Sequence, residues 1–304
     1  MNLFAYDFMQ RALVGVLITG LSAPALGIYL VQRRLALIGD GIGHVALTGV
    51  GLGLLTDSSP VITAVIVAAA GAIVVELVRE RGKASGDVAL ALLFYGGISG
   101  GVFLATQSDG RSSLLSYLFG SPLTISKEDL LVMALLGGAV LLIAVALRPW
   151  LFAICQDEEY ARVAGLPVRM LNLLLAVTTA LTVTVAMRAV GLLLVSALMV
   201  VPVAAAQLVT RGFAATMYAA MVLGVIAAGG GLSLAASYDT APGATIVLVA
   251  IAIFAVMAAA TALRRAGRRR GKGREITALT ARELAMSRPG GPGDGEPPDV
   301  ILQS

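Results

Sequence analysis

The sequence predicts an all-α protein that crosses a membrane about eight or nine times and carries one short helix on the cytoplasmic side. Its 304 residues are 58% hydrophobic and only 13% charged, and their mean hydropathy is +0.91. The apolar residues fall in runs close to the roughly 20 residues that a helix needs to cross a bilayer. Alanine, leucine, valine and glycine dominate and aromatic residues make up 5%, which suits closely packed helices better than a barrel.

Nine apolar segments account for the predicted spans, and polar or basic turns separate them. They are residues 8–31, 35–55, 61–78, 88–105, 130–147, 168–187, 190–209, 213–236 and 243–263. Pro24 is expected to kink the first span. The first two spans are joined by a very short basic turn and could form one hairpin, which would leave eight full crossings.

Two further segments lie outside these spans. LLSYLFG, Leu114–Gly120, is too short to cross a bilayer and predicts an interfacial or re-entrant helix. Arg264–Arg274 is strongly basic, and Pro289–Pro298 is rich in proline and glycine, so that it is expected to be disordered. We therefore divide the chain into a membrane domain, 1–263, and a tail, 264–304.

The basic residues predict the orientation in the cell membrane. With nine spans the N-terminus lies outside and the C-terminus in the cytoplasm. The inside loops then hold the basic tail and Arg33, Arg34, Arg79, Arg81, Lys83, Arg148, Arg162, Arg169 and Arg211. The outside segments hold only Arg11, Arg111, Lys127 and Arg188. This bias is typical of membrane topology, so the net charge of +4 does not indicate a nucleic-acid partner.

Two ionisable residues lie inside the second span. LALIGDGIGHVALTGVGLGLL, Leu35–Leu55, contains Asp40 and His44, and His44 is the single histidine of the chain. A spacing of four residues puts both side chains on one face of a helix, one turn apart. Ionisable groups in a span normally face a partner or a water-filled path. A carboxylate and an imidazole at this spacing also supply two ligands for one divalent cation.

Structural roles would explain the same residues. Asp40 lies near the start of the apolar run and could be a helix N-cap. His44 could be a buried polar residue that is hydrogen-bonded to a neighbouring helix. Polar residues of the seventh span, such as Ser196, are expected to join helices or, alternatively, to line the pathway.

A metal site at Asp40 and His44 would be incomplete within one chain. A transition metal takes four or more ligands. Two copies of the chain on a two-fold axis would supply two aspartates and two histidines, enough for a tetrahedral site. Metal binding here therefore predicts a homodimer, or a pair with a close paralogue, with the second span near the axis.

The polar segment after the fifth span predicts a short helix on the cytoplasmic face. In CQDEEYARVAGLPVR, acidic residues from Asp157 to Glu159 lie at the N-terminal end, where they favour the helix dipole. Gly165 is placed to be the C-cap, and Pro167 ends the helix. Such a helix suits the docking of a soluble partner, although an ordinary interfacial helix would show the same pattern.

Absent motifs narrow the function further. No GxxxxGK[ST] loop is present, so any ATP must be bound by another polypeptide. HExxH is also absent, and a single histidine cannot supply a zinc protease site, which argues against an intramembrane zinc protease. Cys155 is the only cysteine, which excludes an internal disulfide and a cysteine-cluster metal site. We expect a transport subunit with no permanently bound cofactor.

Four motifs in order resemble the zinc/manganese permease family of ATP-driven importers. GDGIGHVAL, Gly39–Leu47, is similar to the family pattern G-D-x-x-x-H-A, with Val45 in place of the alanine. DEEYARVAGLPVRMLNLLL, Asp157–Leu175, looks like the cytoplasmic coupling segment of that family. VGLLLVSALMVVPVAAAQL, Val190–Leu208, and PGATIVLVAIAIF, Pro242–Phe254, are also similar to it. The resemblance covers nearly all of the chain except the tail.

The resemblance implies the membrane subunit of a high-affinity importer that transports Zn²⁺ or Mn²⁺. Two membrane subunits would form the pathway, two ATPase subunits would dock on the cytoplasmic face, and an external binding protein would deliver the metal. By position, Asp40 and His44 match the metal-binding pair of the family. The residues expected in a cleft of the ATPase are Asp157, Glu158, Glu159, Tyr160, Ala161 and Gly165. The long tail departs from the family pattern.

Other functions remain open at this stage. A permease for an iron chelate or a vitamin would have a wide pathway and would need no aspartate–histidine pair. An ion-coupled secondary carrier would have no associated ATPase, and a membrane scaffold would tolerate replacement of Asp40 and His44. Two aspartates and two histidines suit zinc, but added water would let the site hold manganese or iron.

Overall fold

A computed structural model describes residues 6–80, 86–107, 116–122 and 125–286. These residues form eleven helices of six residues or more and contain no strand, which confirms the predicted all-α membrane fold. The helices are α1 Asp7–Gln32, α2 Ile38–Leu55, α3 Pro60–Glu80, α4 Gly86–Thr106, α5 Lys127–Ala146, α6 Arg148–Gln156, α7 Glu158–Val163, α8 Val168–Ala189, α9 Leu192–Gln207, α10 Phe213–Tyr238 and α11 Pro242–Met286.

Within the described ranges, seven helices are long and apolar enough to cross a membrane. They are α1, α2, α3, α5, α8, α10 and the first part of α11, Pro242–Arg264. Two shorter apolar stretches are Leu90–Thr106 in α4 and Leu194–Gln207 in α9. Together they match the nine predicted segments in position. The choice between eight and nine crossings stays a prediction, because it depends on the shorter stretches.

The turn between α1 and α2 explains why α2 begins three residues later than predicted. Arg34 takes a left-handed conformation with φ of 59°. The N–H of Leu35 donates to the carbonyl of Leu30 at 2.8 Å, and the N–H of Arg34 donates to that of Val31 at 3.1 Å. This pattern ends a helix by satisfying its last carbonyls. The chain therefore leaves α1 sharply before α2 begins.

Small residues bring the helices around α1 into backbone contact. A Cβ atom at Gly20 would lie 2.7 Å from the carbonyl oxygen of Gly224 in α10. A Cβ atom at Gly27 would lie 2.8 Å from the carbonyl carbon of Met199 in α9. Close approach through glycine is typical of helices packed in a membrane. These contacts fix α9 and α10 against α1, while α2 packs against α3 and α4.

Two predicted features fall partly outside the described residues. Residues 116–119 form a helical turn within the predicted short helix, and Leu114 and Leu115 lie outside the described part. By its contacts the chain divides into one unit over Met1–Ala258 and another over Ala259–Ser304. In the described residues of the second unit the backbone is helical to Met286, and the segment predicted to be disordered, 289–298, lies outside them.

Candidate functional site

Asp40 lies inside α2 and makes its hydrogen bond to another helix. The residue before the helix is Leu37, which provides no side-chain cap, and Asp40 follows as the third helical residue. The hydroxyl of Ser196 in α9 donates to Oδ1 of Asp40 at 3.1 Å. Asp40 is half-buried. The interpretation of Asp40 as an N-cap is therefore wrong, because the helix begins before it.

His44 is buried one turn further along α2. Its exposed fraction is 4%, and its Nδ1 atom has no hydrogen-bonding partner among the described residues. The ring of Phe94 in α4 packs against the imidazole with centroids 4.2 Å apart and planes at 70°. Buried polar atoms almost always have a partner. An Nδ1 atom without one favours a ligand atom over a residue that joins two helices.

The backbone of α4 fits closely over His44. A Cβ atom at Gly97 would lie 2.6 Å from the carbonyl oxygen of His44, so only glycine fits without a shift. The hydroxyl of Thr48 donates to the carbonyl of Gly97 at 2.8 Å. Thr48 lies one turn beyond His44, so the backbone of α4 contacts both the backbone of α2 and the Thr48 side chain.

One chain supplies only part of a metal site. Within the described ranges, no group of three or more histidine, cysteine, aspartate or glutamate side chains is placed to hold a metal ion. Asp40 and His44 therefore offer at most one carboxylate and one imidazole per chain. The prediction that a second copy completes the site stays a prediction.

The short polar helix predicted after the fifth span is α7. Asp157 is its N-cap, and the carboxylate of Asp157 accepts a hydrogen bond from the N–H of Tyr160 at 2.9 Å. Gly165 has a φ of +83°, and the N–H of Leu166 donates to the carbonyl of Ala161 at 3.0 Å. This is the arrangement expected of a helix that ends at a glycine. The helix thus ends next to Gly165 as predicted, although the C-cap residue is Ala164, and the N-cap at Asp157 was not predicted from the sequence.

The predicted coupling residues divide between two sides of α7. Glu158 forms an ion pair with Arg33 at the end of α1 at 2.9 Å and accepts a hydrogen bond from Asn172 of α8 at 3.1 Å. Ala161 is fully buried. Glu159 is exposed, and so is Tyr160, with an exposed fraction of 71%. One side of α7 is therefore bonded to α1 and α8, and the other is accessible.

The ABC 3 transport family matches residues 5–261 of the sequence, which include the Asp40–His44 pair and α7. The chain belongs to the ABC 3 transport family.

Three relatives of this family member carry names of metal transport systems. The chain is 33% identical to the manganese transport system membrane protein MntC of Halalkalibacterium halodurans, over 84% of this chain and 88% of that protein. It is 32% identical to the chelated iron transport system membrane protein YfeD of Yersinia pestis, over 83% and 85%. It is 30% identical to the high-affinity zinc uptake system membrane protein ZnuB of Haemophilus influenzae, over 80% and 93%.

A solved structure has the same fold as this ABC 3 family member. PsaBC from Streptococcus pneumoniae, in complex with a Fab, superposes with a TM-score of 0.77 at 27% identity. The match covers 84% of this chain and 92% of that chain.

Three residues next to the predicted ones were not predicted from the sequence. Arg33 and Asn172 hold Glu158, and Phe94 packs on His44. Asn172 gave a signal, since it is the only residue with an amide side chain in the predicted span 168–187. Arg33 indicated only the end of a span, and Phe94 lies in an apolar run where nothing distinguishes it from a lipid-facing residue.

Proposed function

We propose that this chain is the membrane-spanning permease subunit of an ATP-driven importer of a divalent transition metal, zinc or manganese. The observation that carries the proposal is the buried Nδ1 atom of His44, which has no hydrogen-bonding partner in the part of the chain that the structure describes and lies one helical turn from the carboxylate of Asp40. Imidazole nitrogen and carboxylate oxygen are ligands that these cations accept. The names of the relatives support a metal cargo.

A pathway between two membrane subunits follows from the incomplete ligand set. Asp40 and His44 of one chain, with the same pair from a second copy or a paralogue, would make a four-ligand site for the cargo. The cargo would cross at this shared site, and the chain itself would hold no permanent cofactor.

A separate ATP-binding subunit would supply the energy, and the chain itself would not be an enzyme. The accessible side of α7, with Glu159 and Tyr160, would dock on that subunit, and the bonded side would transmit its movement. Glu158 is bonded to Arg33, and Arg33 begins the turn that leads to Asp40 in α2. Closure of the ATPase pair would thus tilt the helices around the metal site and alternate its access.

The remaining parts of the proposal concern location. An extracytoplasmic metal-binding protein would deliver the cargo to the outer face of the cell membrane. The N-terminus would lie outside, and the tail, 264–304, would lie in the cytoplasm. The excess of arginine and lysine in the loops assigned to the inside supports this orientation.

The experiment that tests the proposal is metal accumulation in cells that lack their own importers. The cells carry the chain with its candidate ATPase and binding protein and receive zinc, manganese and iron in parallel. We expect the wild type to accumulate zinc or manganese and His44→Ala to accumulate neither. Ser233→Ala is the matched control, because among the described residues the hydroxyl of Ser233 hydrogen-bonds only to the carbonyl of Gly229 in its own helix.

Two other outcomes of the uptake experiment would contradict part or all of the proposal. Unchanged uptake in His44→Ala would remove His44 from the pathway. No uptake of any metal by an assembled complex would contradict the proposal and favour a permease for an iron chelate or a vitamin.

A further inference from the structure

The hydrogen bond between Ser196 and Asp40 bears on which cation the site accepts. We infer that Ser196 is a specificity-determining residue: its hydroxyl takes one of the two acceptor sites on Oδ1 of Asp40, so that Oδ2 becomes the preferred oxygen for the cargo. This inference rests on the proposed function of Asp40 and His44. The hydroxyl of Ser196 donates to Oδ1 at 3.1 Å, and both residues are half-buried.

Ser196 lies on the face of α9 that packs against the first turns of α2. Leu192, Ser196 and Met199 share this face, because they are four and three residues apart. A Cβ atom at Gly43 would lie 3.4 Å from Leu192, and one at Gly39 would lie 3.4 Å from the sulfur of Met199. The hydroxyl is therefore aimed at Asp40 by apolar contacts on either side of it.

The position of α9 is itself fixed. The backbone of Met199 fits against Gly27 of α1, where a Cβ atom would lie 2.8 Å from the carbonyl carbon of Met199. Ser196 thus bonds to Asp40 from a helix held by a third helix. This is the arrangement of an outer residue that orients a metal ligand.

The chemistry of a carboxylate predicts how this bond affects selectivity. Each carboxylate oxygen has two acceptor sites, and the Ser196 hydroxyl uses one of those on Oδ1. Binding through one oxygen suits four-coordinate zinc, whereas manganese favours oxygen-rich octahedral sites and gains more from a carboxylate that binds through both oxygens. Loss of the hydroxyl is therefore expected to move the preference from zinc towards manganese.

A purely structural role for Ser196 makes a different prediction. If the hydroxyl only joined α9 to α2, its removal would lower the amount of assembled transporter and reduce zinc and manganese uptake in the same proportion. The ratio of manganese uptake to zinc uptake therefore distinguishes the two roles, whereas the total uptake does not.

The test measures competition between zinc and manganese for uptake by the complete transporter in cells. Ser196→Ala and Ser196→Gly both remove the hydroxyl, so that either variant suffices if the other fails to assemble. We expect the preference for manganese over zinc to rise about tenfold in both, the lower end of the effect of outer residues on metal affinity. Ser196→Thr retains a hydroxyl and is expected to retain the wild-type ratio, as is the control Ser233→Ala.

Asp40→Asn separates failure of this inference from failure of the proposed function. If Asp40→Asn abolishes uptake but the hydroxyl-free variants keep the wild-type ratio, the inference about Ser196 is wrong and the proposed function stands. If Asp40→Asn transports every metal as the wild type does, Asp40 is not a ligand of the cargo; the metal site of the proposed function fails, and the inference fails with it. A ratio in Ser196→Thr that shifts as far as in Ser196→Ala would also overturn the inference.

Discussion

The Asp40–His44 region and the α7 region use polar residues in opposite ways. In α2, the Nδ1 atom of His44 is buried and bonds to no described residue, and glycine-mediated packing holds the helix. In α7, Glu158 bonds to Arg33 and to Asn172, and the cap residues satisfy the helix ends. A ligand atom kept free is suited to binding a cargo, whereas a satisfied polar network holds helices in a fixed relation. The two regions therefore suit binding and transmission, respectively.

Substitution of Gly97 is expected to have the largest effect, because it acts on the backbone that encloses His44. A Cβ atom at Gly97 would meet the carbonyl oxygen of His44 at 2.6 Å, whereas one at Gly96 would meet nothing within 4 Å. Gly97→Ala should therefore force α4 away from α2 and cost about 1–3 kcal/mol of stability. We expect metal uptake to be lost in Gly97→Ala and retained in Gly96→Ala. Thermal denaturation of the purified protein measures the accompanying loss of stability, and equal behaviour of the two variants would contradict the close fit.

Neighbouring glutamates provide the next test, this time of the α7 region. Glu158→Ala removes the acceptor of Arg33 and Asn172, and hydrogen bonds to charged groups contribute about 1.5–3 kcal/mol. Arg33 is mostly buried, with 8% of its side chain exposed; in this variant it loses the carboxylate and keeps the neutral acceptor Asn172. We therefore expect lower thermal stability and slower transport with unchanged metal affinity. Glu159→Ala changes an exposed residue and should leave the stability unaltered.

Metal affinity distinguishes the two regions in this experiment. Isothermal titration of the purified complex should give the wild-type affinity for Glu158→Ala. Weaker binding in that variant would show that α7 contributes to the metal site itself, and the distinction between binding and transmission would fail.

The sequence predicted the spans more fully than the interactions of the site. Apolar runs and basic turns placed all nine segments, because length and hydrophobicity decide what a bilayer accommodates. The spacing of Asp40 and His44 predicted a shared helical face. It could not predict Ser196 or Phe94 as their neighbours. Ser196 lies 156 residues beyond Asp40 in the sequence, and Phe94 lies in a separate apolar helix. The start of α2 was misplaced because the left-handed conformation of Arg34 has no signal in an arginine.

Phe94 provides a smaller test of how His44 is held. Its ring meets the imidazole in a T-shaped contact at 4.2 Å, and such aromatic contacts contribute about 0.5–1.5 kcal/mol. Phe94→Leu keeps an apolar side chain and removes this contact. We expect metal binding to weaken by roughly two- to tenfold while thermal stability changes little. Phe94→Tyr keeps the ring and should bind as the wild type does, and a Phe94→Leu protein with wild-type affinity would show that packing alone orients His44.

The smallest effect is expected at Cys155, which lies in α6 next to α7. It tests whether the α7 region lacks a side-chain atom that is free to bind a metal. Burial raises the pKa of its thiol from 9.0 to about 11, although the charge of Arg33 opposes the shift. The neutral thiol is thus the form that the fold favours. Its contribution to stability is complete below the unfolded pKa of 9.0 and is lost as the pH rises towards the folded pKa of about 11.

Maleimide labelling of Cys155 in the folded protein should be slow near neutral pH, should become faster between pH 9.0 and about 11, and should remain unaffected by zinc. Cys155→Ser removes the only thiol and defines the background. Rapid labelling near neutral pH would contradict the burial of the thiol, and protection by zinc would show a metal ligand beside α7 and would remove the contrast with His44.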